Sequence, residues 1–171
     1  IGGSIAKALK DFSPDTILGG FDRSKENAGF VLENKIIDYL IEDITEEDIK
    51  FDLVFVAVPV SELSEILAKL NRIKKKFIIT DVCSVKEPVI EIADQVLTDK
   101  FSDFVPGHPI SGLELSGPQN SRTNLFKDSP VLLTPLSQTS KKAIEGVSKV
   151  WRRMGGIPFI IDPILHDKCL A

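Results

Sequence analysis

Short runs of almost wholly apolar residues recur along the chain and indicate strands that are buried on both faces of a sheet. The clearest run covers residues 51–59 and reads Phe-Asp-Leu-Val-Phe-Val-Ala-Val-Pro. Residues 15–22, 76–81, 131–134 and 156–161 form shorter runs of β-prone character. A strand with one face in water alternates apolar and polar residues, whereas these runs do not. The pattern therefore favours a largely parallel sheet that is covered on both sides.

Apolar residues at helical spacing separate the strand candidates. They recur every three or four positions, as residues on one face of a helix do. The four clearest groups are Ile5, Ala8, Leu9 and Phe12; Leu63, Ile66, Leu67 and Leu70; Val89, Ile92, Ala93 and Val96; and Ala143, Val147, Val150 and Trp151. Strands that alternate with helices predict an α/β fold with a doubly wound, mostly parallel sheet, like a Rossmann dinucleotide-binding domain.

The two ends of the chain set the predicted domain boundaries. Dinucleotide-binding folds place a strand before the first glycine turn, but residues 1–4, Ile-Gly-Gly-Ser, lead straight into a helix. We therefore expect residues 1–161 to form a dinucleotide-binding domain that lacks its first strand. Residues 162–171 have the pattern of the first turns of a helix without a C-terminal cap. We expect the chain to be a fragment, with a further domain beyond this helix.

Composition narrows the class of protein. The 171 residues are 43% hydrophobic and 27% charged, with a net charge of -4. No apolar run is long enough to cross a membrane, and no basic stripe is present that would bind nucleic acid phosphates. The two cysteines, Cys83 and Cys169, have no metal-ligand spacing and fit free thiols in a reducing compartment. We expect a cytoplasmic protein that binds a small molecule and holds no metal.

The segment 104–117 carries the most conspicuous chemical groups. It holds an imidazole and a carboxylate, His108 and Glu114, between glycines and prolines that disfavour regular structure. It also follows a short apolar run, where α/β enzymes place their catalytic groups. We predict a shaped loop that presents His108 to a ligand. The alternative is a surface loop whose histidine has no chemical role.

Residues near the start of the chain match the tail of a dinucleotide-binding fingerprint. Gly2 stands where the third glycine of that fingerprint allows close packing of a helix, whose positive end meets the pyrophosphate. Asp22 follows about twenty residues later, where an acid accepts hydrogen bonds from the adenosine ribose. Such a carboxylate repels a 2′-phosphate and favours NAD over NADP, although Arg23 beside it weakens that choice. The alternatives are a plain N-cap at residues 2–4 and a turn role for Asp22.

Two further strand ends carry candidate ligand-binding residues. Val58 and Pro59 close the longest apolar run and are placed to line the ribose on the nicotinamide side, unless the proline only ends the strand. Asp81 and Ser84 follow the next strand, at the end where open α/β sheets bind ligands. On local grounds Ser84 is better suited to capping the next helix. Cys83 has the character of a small packed residue, since no activating base stands near it.

The order of these segments resembles that of the prephenate and arogenate dehydrogenases, and the resemblance covers essentially the whole chain. It depends most on two segments, His-Pro-Ile-Ser-Gly-Leu-Glu at residues 108–114 and Ser-Val-Lys at residues 84–86. The other matching segments are residues 1–4, Asp22-Arg23, residues 56–59, Thr80-Asp81, Ser116-Gly117, Leu125-Phe126, Trp151, Gly155-Gly156 and His166-Asp167.

The resemblance implies NAD-dependent oxidative decarboxylation of prephenate to 4-hydroxyphenylpyruvate in tyrosine biosynthesis. His108 matches the family's catalytic histidine, which takes the proton of the substrate 4-hydroxyl. Ser84 matches a serine that supports this histidine and the hydroxyl, and Glu114 matches an acid that orders the substrate pocket. His166 falls in the interdomain helix and is assigned a structural role. The resemblance also implies a homodimer formed through a helical second domain, without which we expect residues 1–171 to be inactive.

Three alternatives stay open. Arogenate dehydrogenases share these motifs, so arogenate as substrate, with NADP as a further option, is the nearest alternative. A catalytically silent regulatory module that binds a dinucleotide would use the Asp22 side of the cleft but has no need for His108, Ser84 and Glu114 together. Other β-hydroxyacid or imine reductases have the fold but lack the His-Pro-Ile-x-Gly-x-Glu segment.

Overall fold

Helices and short strands alternate along the computed structural model, which describes residues 1–45, 51–113 and 115–170. The α-helices in these residues are α1 (Gly2–Phe12), α2 (Lys25–Glu33), α3 (Val60–Arg72), α4 (Glu87–Val96), α5 (Lys141–Arg153) and α6 (Pro163–Leu170). The strands are β1 (Gly19–Gly20), β2 (Tyr39–Leu40), β3 (Leu53–Val56), β4 (Ile78–Asp81), β5 (Phe104–Val105), β6 (Gly107–Pro109), β7 (Pro130–Leu133) and β8 (Ile157–Ile160).

The strands pair in a mostly parallel manner. β1 pairs with β2, β4 lies between β3 and β5, and β7 lies between β6 and β8. The β3–β4 and β7–β8 ladders are parallel, whereas β6 runs antiparallel to β7 and sets His108 opposite Leu132. The prediction of an α/β fold with a mostly parallel sheet is therefore confirmed, with the β6–β7 pair as the exception.

Helices cover both faces of the sheet formed by β3, β4 and β5. Successive side chains of a strand point to opposite faces, and along β3 the residues Val54 and Val56 join one apolar cluster while Leu53 and Phe55 join the other. The first cluster contains the buried faces of α3 and α4, and the second those of α1 and α5. Trp151 on α5 packs its ring edge-on against Phe55. This two-sided burial explains why the strand sequences are apolar without alternation.

Two strand predictions need correction. The run at residues 15–22 yields only the two-residue strand β1, whose Gly19 lies so close to the Tyr39 ring that an added Cβ would stand 2.6 Å from it. His108 lies in β6 and not in a loop. Pro109 is tolerated there because β6 is an edge strand, on which a missing N–H breaks no ladder hydrogen bond on the outer side.

Helix length also bears on membrane insertion. Among the described residues, no helix is both long and apolar enough to span a membrane.

Candidate functional site

A cleft runs past the first turn of α1 and the carboxyl ends of β1 and β3. The carboxyl ends of parallel strands are where open α/β sheets bind their ligands. The predicted site residues that line the cleft are Gly2, Asp22, Arg23, Val58, Pro59, Ser84 and His108. The fold therefore brings together residues that are far apart in the sequence.

The α1 end of the cleft has the features expected for a dinucleotide pyrophosphate. Gly2 begins α1, and a Cβ at this position would stand 3.3 Å from the Cβ of Ala57 just after β3. This close approach keeps the first turn of α1 against the end of the strand. The first N–H groups of a helix have no partner within it and favour negative charge. The first turn of α1 can therefore hold an anionic group in the cleft.

The β1 end of the cleft presents an exposed carboxylate. Asp22 accepts a hydrogen bond from the backbone N–H of Ser24 at 2.8 Å and lies 3.4 Å from the side-chain amide nitrogen of Asn27. These contacts fix the carboxylate at the start of α2. Asp22 therefore has the turn role that was its alternative, and its residue also lines the cleft. Arg23 forms an ion pair with Glu62 at 2.7 Å.

Asp81, a predicted cofactor-binding residue, is not among the residues that line the cleft. Its side chain is completely buried and lies behind the cleft wall, so the structure does not bring it to the cofactor cleft. Lys86 donates a hydrogen bond to it at 2.6 Å, and the backbone N–H groups of Cys83 and Gly107 donate at 2.8 and 3.1 Å. A buried carboxylate needs such partners because its charge is shielded from water. Asp81 is therefore a structural anchor beneath the site.

His108 contacts a second imidazole, that of His166, for which the sequence predicts only a structural role. Its Nδ1 lies 2.9 Å from Nε2 of the fully buried His166 on α6, and the rings meet edge-on. Nδ1 of His166 lies in turn 2.7 Å from Oδ1 of Asp167. The residues 166 and 167 thus form part of the site. Their adjacency as His-Asp was the available signal, but the sequence did not show that α6 returns to β6.

Asp167 also holds the start of α4. The backbone N–H of Lys86 donates to its Oδ1 at 2.8 Å, and the N–H of Glu87 donates to Oδ2 at 2.8 Å. Burial raises the pKa of the Asp167 carboxyl, but the hydrogen bonds from Glu87, His166 and Lys86 outweigh burial and bring the pKa below its ordinary value. Asp167 is therefore a carboxylate at neutral pH and can only accept hydrogen bonds.

The pKa of His108 is lowered from 6.5 to about 4, and burial is the largest cause. The neighbouring His166 and the Lys86 ammonium contribute to this lowering, whereas the Asp81 and Asp167 carboxylates oppose it. An imidazole with this pKa is neutral near pH 7 and carries one nitrogen with a free lone pair. His108 can consequently accept a proton or a hydrogen bond from a ligand in the cleft.

Ser84 lies exposed on the cleft wall and does not cap α4. Lys86 occupies the N-cap position without a side-chain cap, and Asp167 binds the N–H groups there in place of Ser84. Within the described residues no hydrogen bond joins the Ser84 hydroxyl to His108. The neighbouring Cys83 is a packed residue, as predicted, because burial and then the Asp81 carboxylate raise the pKa of its thiol to about 12.

Glu114, the remaining predicted site residue, lies outside the described residues. Its neighbours Leu113 and Leu115 line the cleft. In the described ranges 1–45, 51–113 and 115–170 no cluster of three or more His, Cys, Asp or Glu side chains is arranged to hold a metal ion.

A mostly parallel sheet with helices on both faces, and a cleft at its strand ends between a helix N-terminus and an exposed acid, define a dinucleotide-binding α/β domain. Residues 5–158 match the family "Prephenate dehydrogenase, nucleotide-binding domain". The chain belongs to the prephenate dehydrogenase family and forms its nucleotide-binding domain.

Similar proteins of known name agree with this assignment. A cyclohexadienyl dehydrogenase of Zymomonas mobilis is 33% identical over 100% of the chain and 58% of its own length. A prephenate dehydrogenase of Aquifex aeolicus, crystallised with hydroxyphenyl propionate and NAD+, is 34% identical with a TM-score of 0.90 over 98% of the chain and 58% of its own. An arogenate dehydrogenase of Synechocystis is 26% identical with a TM-score of 0.87 over 98% of the chain and 58% of its own. The chain thus spans little more than half of these relatives.

Proposed function

We propose that the complete gene product catalyses the NAD-dependent oxidative decarboxylation of prephenate to 4-hydroxyphenylpyruvate in tyrosine biosynthesis. The observation that carries the proposal is the position of a neutral His108 imidazole on the same cleft as Gly2 and Asp22. One cleft thus offers a proton acceptor and the elements that recognise a dinucleotide. The cyclohexadienyl and prephenate dehydrogenases to which the chain is similar support the oxidoreductase class.

The cleft residues fit a dinucleotide. The first turn of α1 offers N–H groups and positive dipole to a pyrophosphate, and Asp22 offers carboxylate oxygens to the hydroxyls of the adenosine ribose. Val58 and Pro59 line the cleft beyond β3, where they would contact the nicotinamide side. Bound NAD+ would supply the hydride acceptor for the reaction.

Asp22 and Glu62 together favour NAD over NADP. A carboxylate at the ribose repels a 2′-phosphate, and the arginine beside it already has a carboxylate partner, because Arg23 forms an ion pair with Glu62 at 2.7 Å. An arginine held in this way is less available to a phosphate. The NAD+ complex of the similar Aquifex aeolicus enzyme supports the same choice.

His108 is the proposed proton acceptor of the reaction. As hydride leaves the ring carbon that bears the 4-hydroxyl, the hydroxyl oxygen becomes a carbonyl and its proton must move to a base, for which a neutral imidazole is suited. Departure of the ring carboxylate as CO2 then returns an electron pair through the ring to this oxygen, which takes the proton back and becomes the phenol of the product. Ser84, on the same cleft wall, is the proposed hydrogen-bond partner of the hydroxyl, and Glu114 the acid that orders the substrate pocket.

We also propose that the complete protein is a cytoplasmic homodimer that uses a helical domain beyond residue 171. Exposed apolar side chains on β8 and α6 support a further protein surface there, since large exposed apolar groups mark sites of contact. They are Phe159, Ile160, Ile164 and Leu165. Sedimentation equilibrium of the complete gene product would give the molar mass of two chains, and a monomer would contradict the proposal.

A second candidate function is arogenate dehydrogenase activity, which the similarity to the Synechocystis enzyme favours. The two substrates share the cyclohexadienyl ring and the 4-hydroxyl, so His108 would act alike on both. A silent regulatory module would bind dinucleotide without turnover.

The test measures steady-state rates of the complete gene product with prephenate and with arogenate, each with NAD+ and NADP+. The same four assays are made for His108→Asn and for Asp94→Asn, which alters an exposed carboxylate on α4 away from the cleft. We expect prephenate and NAD+ to give the highest kcat/KM, and His108→Asn to lower kcat by about 100-fold or more. Preference for arogenate would establish the second candidate, and unchanged kcat in His108→Asn would overturn the role of the histidine.

A further inference from the structure

Three side chains from two elements form a continuous line that ends at the cleft. The carboxylate of Asp167 lies 2.7 Å from Nδ1 of His166, and Nε2 of His166 lies 2.9 Å from Nδ1 of His108. His166 is completely buried, while His108 reaches the cleft wall. Only one ring nitrogen in the line, Nε2 of His108, is left without a partner among the described side chains and is available to a ligand.

The carboxylate fixes the positions of the protons. Asp167 accepts from the backbone N–H groups of Lys86 and Glu87 and is ionised, so Nδ1 of His166 must donate to it. With neutral rings, Nε2 of His166 then carries the lone pair and accepts from Nδ1–H of His108. The free nitrogen of His108 is therefore the unprotonated one. This is the tautomer that can take a proton from a substrate hydroxyl.

The same line offers a place for the charge that this proton brings. When Nε2 of His108 gains a proton, its Nδ1 proton can move to Nε2 of His166. The O–H bond of the substrate and the Nδ1–H bond of His108 break, and the two N–H bonds form. The positive charge then resides on His166, next to the Asp167 carboxylate. The other charged groups facing His108 are the Lys86 ammonium, which disfavours a cation on His108, and the Asp81 carboxylate, which is already paired with Lys86.

We propose that His166 and Asp167 are positioning residues that hold His108 in the proton-accepting tautomer and take up the positive charge as it accepts the substrate proton. This inference depends on the proposed function for its chemical step. The arrangement of the protons, in contrast, can be measured without any substrate.

The first experiment records the ¹⁵N NMR signals of the imidazole nitrogens in the complete gene product at neutral pH. The signals of each ring are assigned by their loss in His108→Asn and in His166→Asn. We expect a protonated Nδ1 and an unprotonated Nε2 for His108. In Asp167→Asn the side-chain oxygen can still accept from the α4 backbone, which turns the amide group towards His166 and reverses both tautomers. A protonated Nε2 of His108 in the wild type would overturn the proposal.

The second experiment measures kcat and KM for the same variants. Asp167→Asn and His166→Asn should each lower kcat by about 100-fold, because each removes the acceptor for the Nδ1 proton of His108. The KM values for prephenate and NAD+ should stay within about twofold, because the cleft itself is unchanged. His166→Gln should recover part of kcat, since its amide oxygen can accept from Nδ1–H of His108 without taking the charge. Asp162→Asn is the matched control, because this exposed carboxylate caps α6 through the N–H of Leu165 and lies outside the line.

The outcomes separate the inference from the function on which it depends. Unchanged kcat in both Asp167→Asn and His166→Asn would overturn the proposal. An equal loss in His166→Gln and His166→Asn would overturn the tautomer-holding hydrogen bond from Nδ1–H of His108 to position 166. A wild-type protein that has the expected tautomers but turns over neither prephenate nor arogenate would support the proton arrangement and overturn the proposed function.

Discussion

The ammonium of Lys86 donates a hydrogen bond of 2.7 Å to the carbonyl oxygen of Gly107, the residue that immediately precedes His108. The partner of that ammonium, Asp81, accepts from the backbone N–H of the same glycine at 3.1 Å. One buried ion pair therefore holds both polar backbone groups of Gly107. The position of the His108 imidazole on the cleft depends on this clamp.

Removal of the clamp cation should strongly destabilise the protein. Lys86→Met leaves the completely buried Asp81 without its ion-pair partner, and breaking a buried pair in this way costs about 3–5 kcal/mol. Urea unfolding of the complete gene product would measure the loss. Lys69→Met is the control, because Lys69 pairs with Glu65 at the surface, where an ion pair contributes roughly 0.5 kcal/mol. Equal losses in the two variants would contradict the role of the clamp.

A methyl group on Gly107 should displace the imidazole. The added Cβ would stand 3.0 Å from the carbonyl oxygen of Asp81 and 3.3 Å from Oγ1 of Thr80, so the start of β6 must shift. We expect Gly107→Ala to lower kcat about tenfold or more through misplacement of His108, with KM for NAD+ unchanged. Gly29→Ala is the matched control, since no atom lies within 4 Å of its added Cβ in α2. It should keep kcat and add about 0.5–1 kcal/mol of stability.

Cofactor choice should respond to both Asp22 and Glu62. Asp22→Asn removes a charged hydrogen-bond acceptor from the ribose site, and we expect KM for NAD+ to rise about tenfold. Glu62→Gln removes the ion-pair partner of Arg23 and should lower KM for NADP+ while KM for NAD+ changes little. Initial rates over a range of each cofactor would measure both effects. No change for NADP+ in Glu62→Gln would show that Arg23 does not reach the 2′-phosphate.

The lowered pKa of His108 predicts a pH-dependent stability. The folded protein binds this proton with a pKa of about 4 and the unfolded chain with one near 6.5, so the unfolded state binds more protons between these pH values. The free energy of unfolding contributed by this group is therefore present above pH 6.5 and is lost as the pH falls towards 4. Urea unfolding at a series of pH values should show this loss in the wild type and a smaller one in His108→Asn. Parallel curves would contradict it.

The sequence predicted the elements whose signal is local. Buried strands such as β3 and amphipathic helices such as α5 are evident from short patterns, because the burial of their side chains follows a regular pattern along each element. The position of Asp22 on the cleft wall agrees with the sequence, since the carboxyl ends of parallel strands share one edge of the sheet.

Contacts between elements that are distant in the chain could not be predicted from the sequence. Asp81 follows a strand in the manner of a ligand-binding acid, but only the fold shows that Lys86 and Gly107 bury it. His166 is 58 residues from His108 in the chain, and no local pattern indicates that α6 packs against β6. His108 itself lies in a strand that exists only because β7 returns antiparallel to it.

Asp167, on the eight-residue helix α6, is connected both to the start of α4 and to His166. The same carboxylate completes the first turn of α4 and accepts from Nδ1 of His166, so one side chain of α6 contacts both parts of the site. Any displacement of α6 from α4 would expose the backbone N–H groups of Lys86 and Glu87 and release the His108 ring at the same time. The helix thus works as an interlock: the backbone at the start of α4 and the ring of His108 both depend on the docking of this one short element.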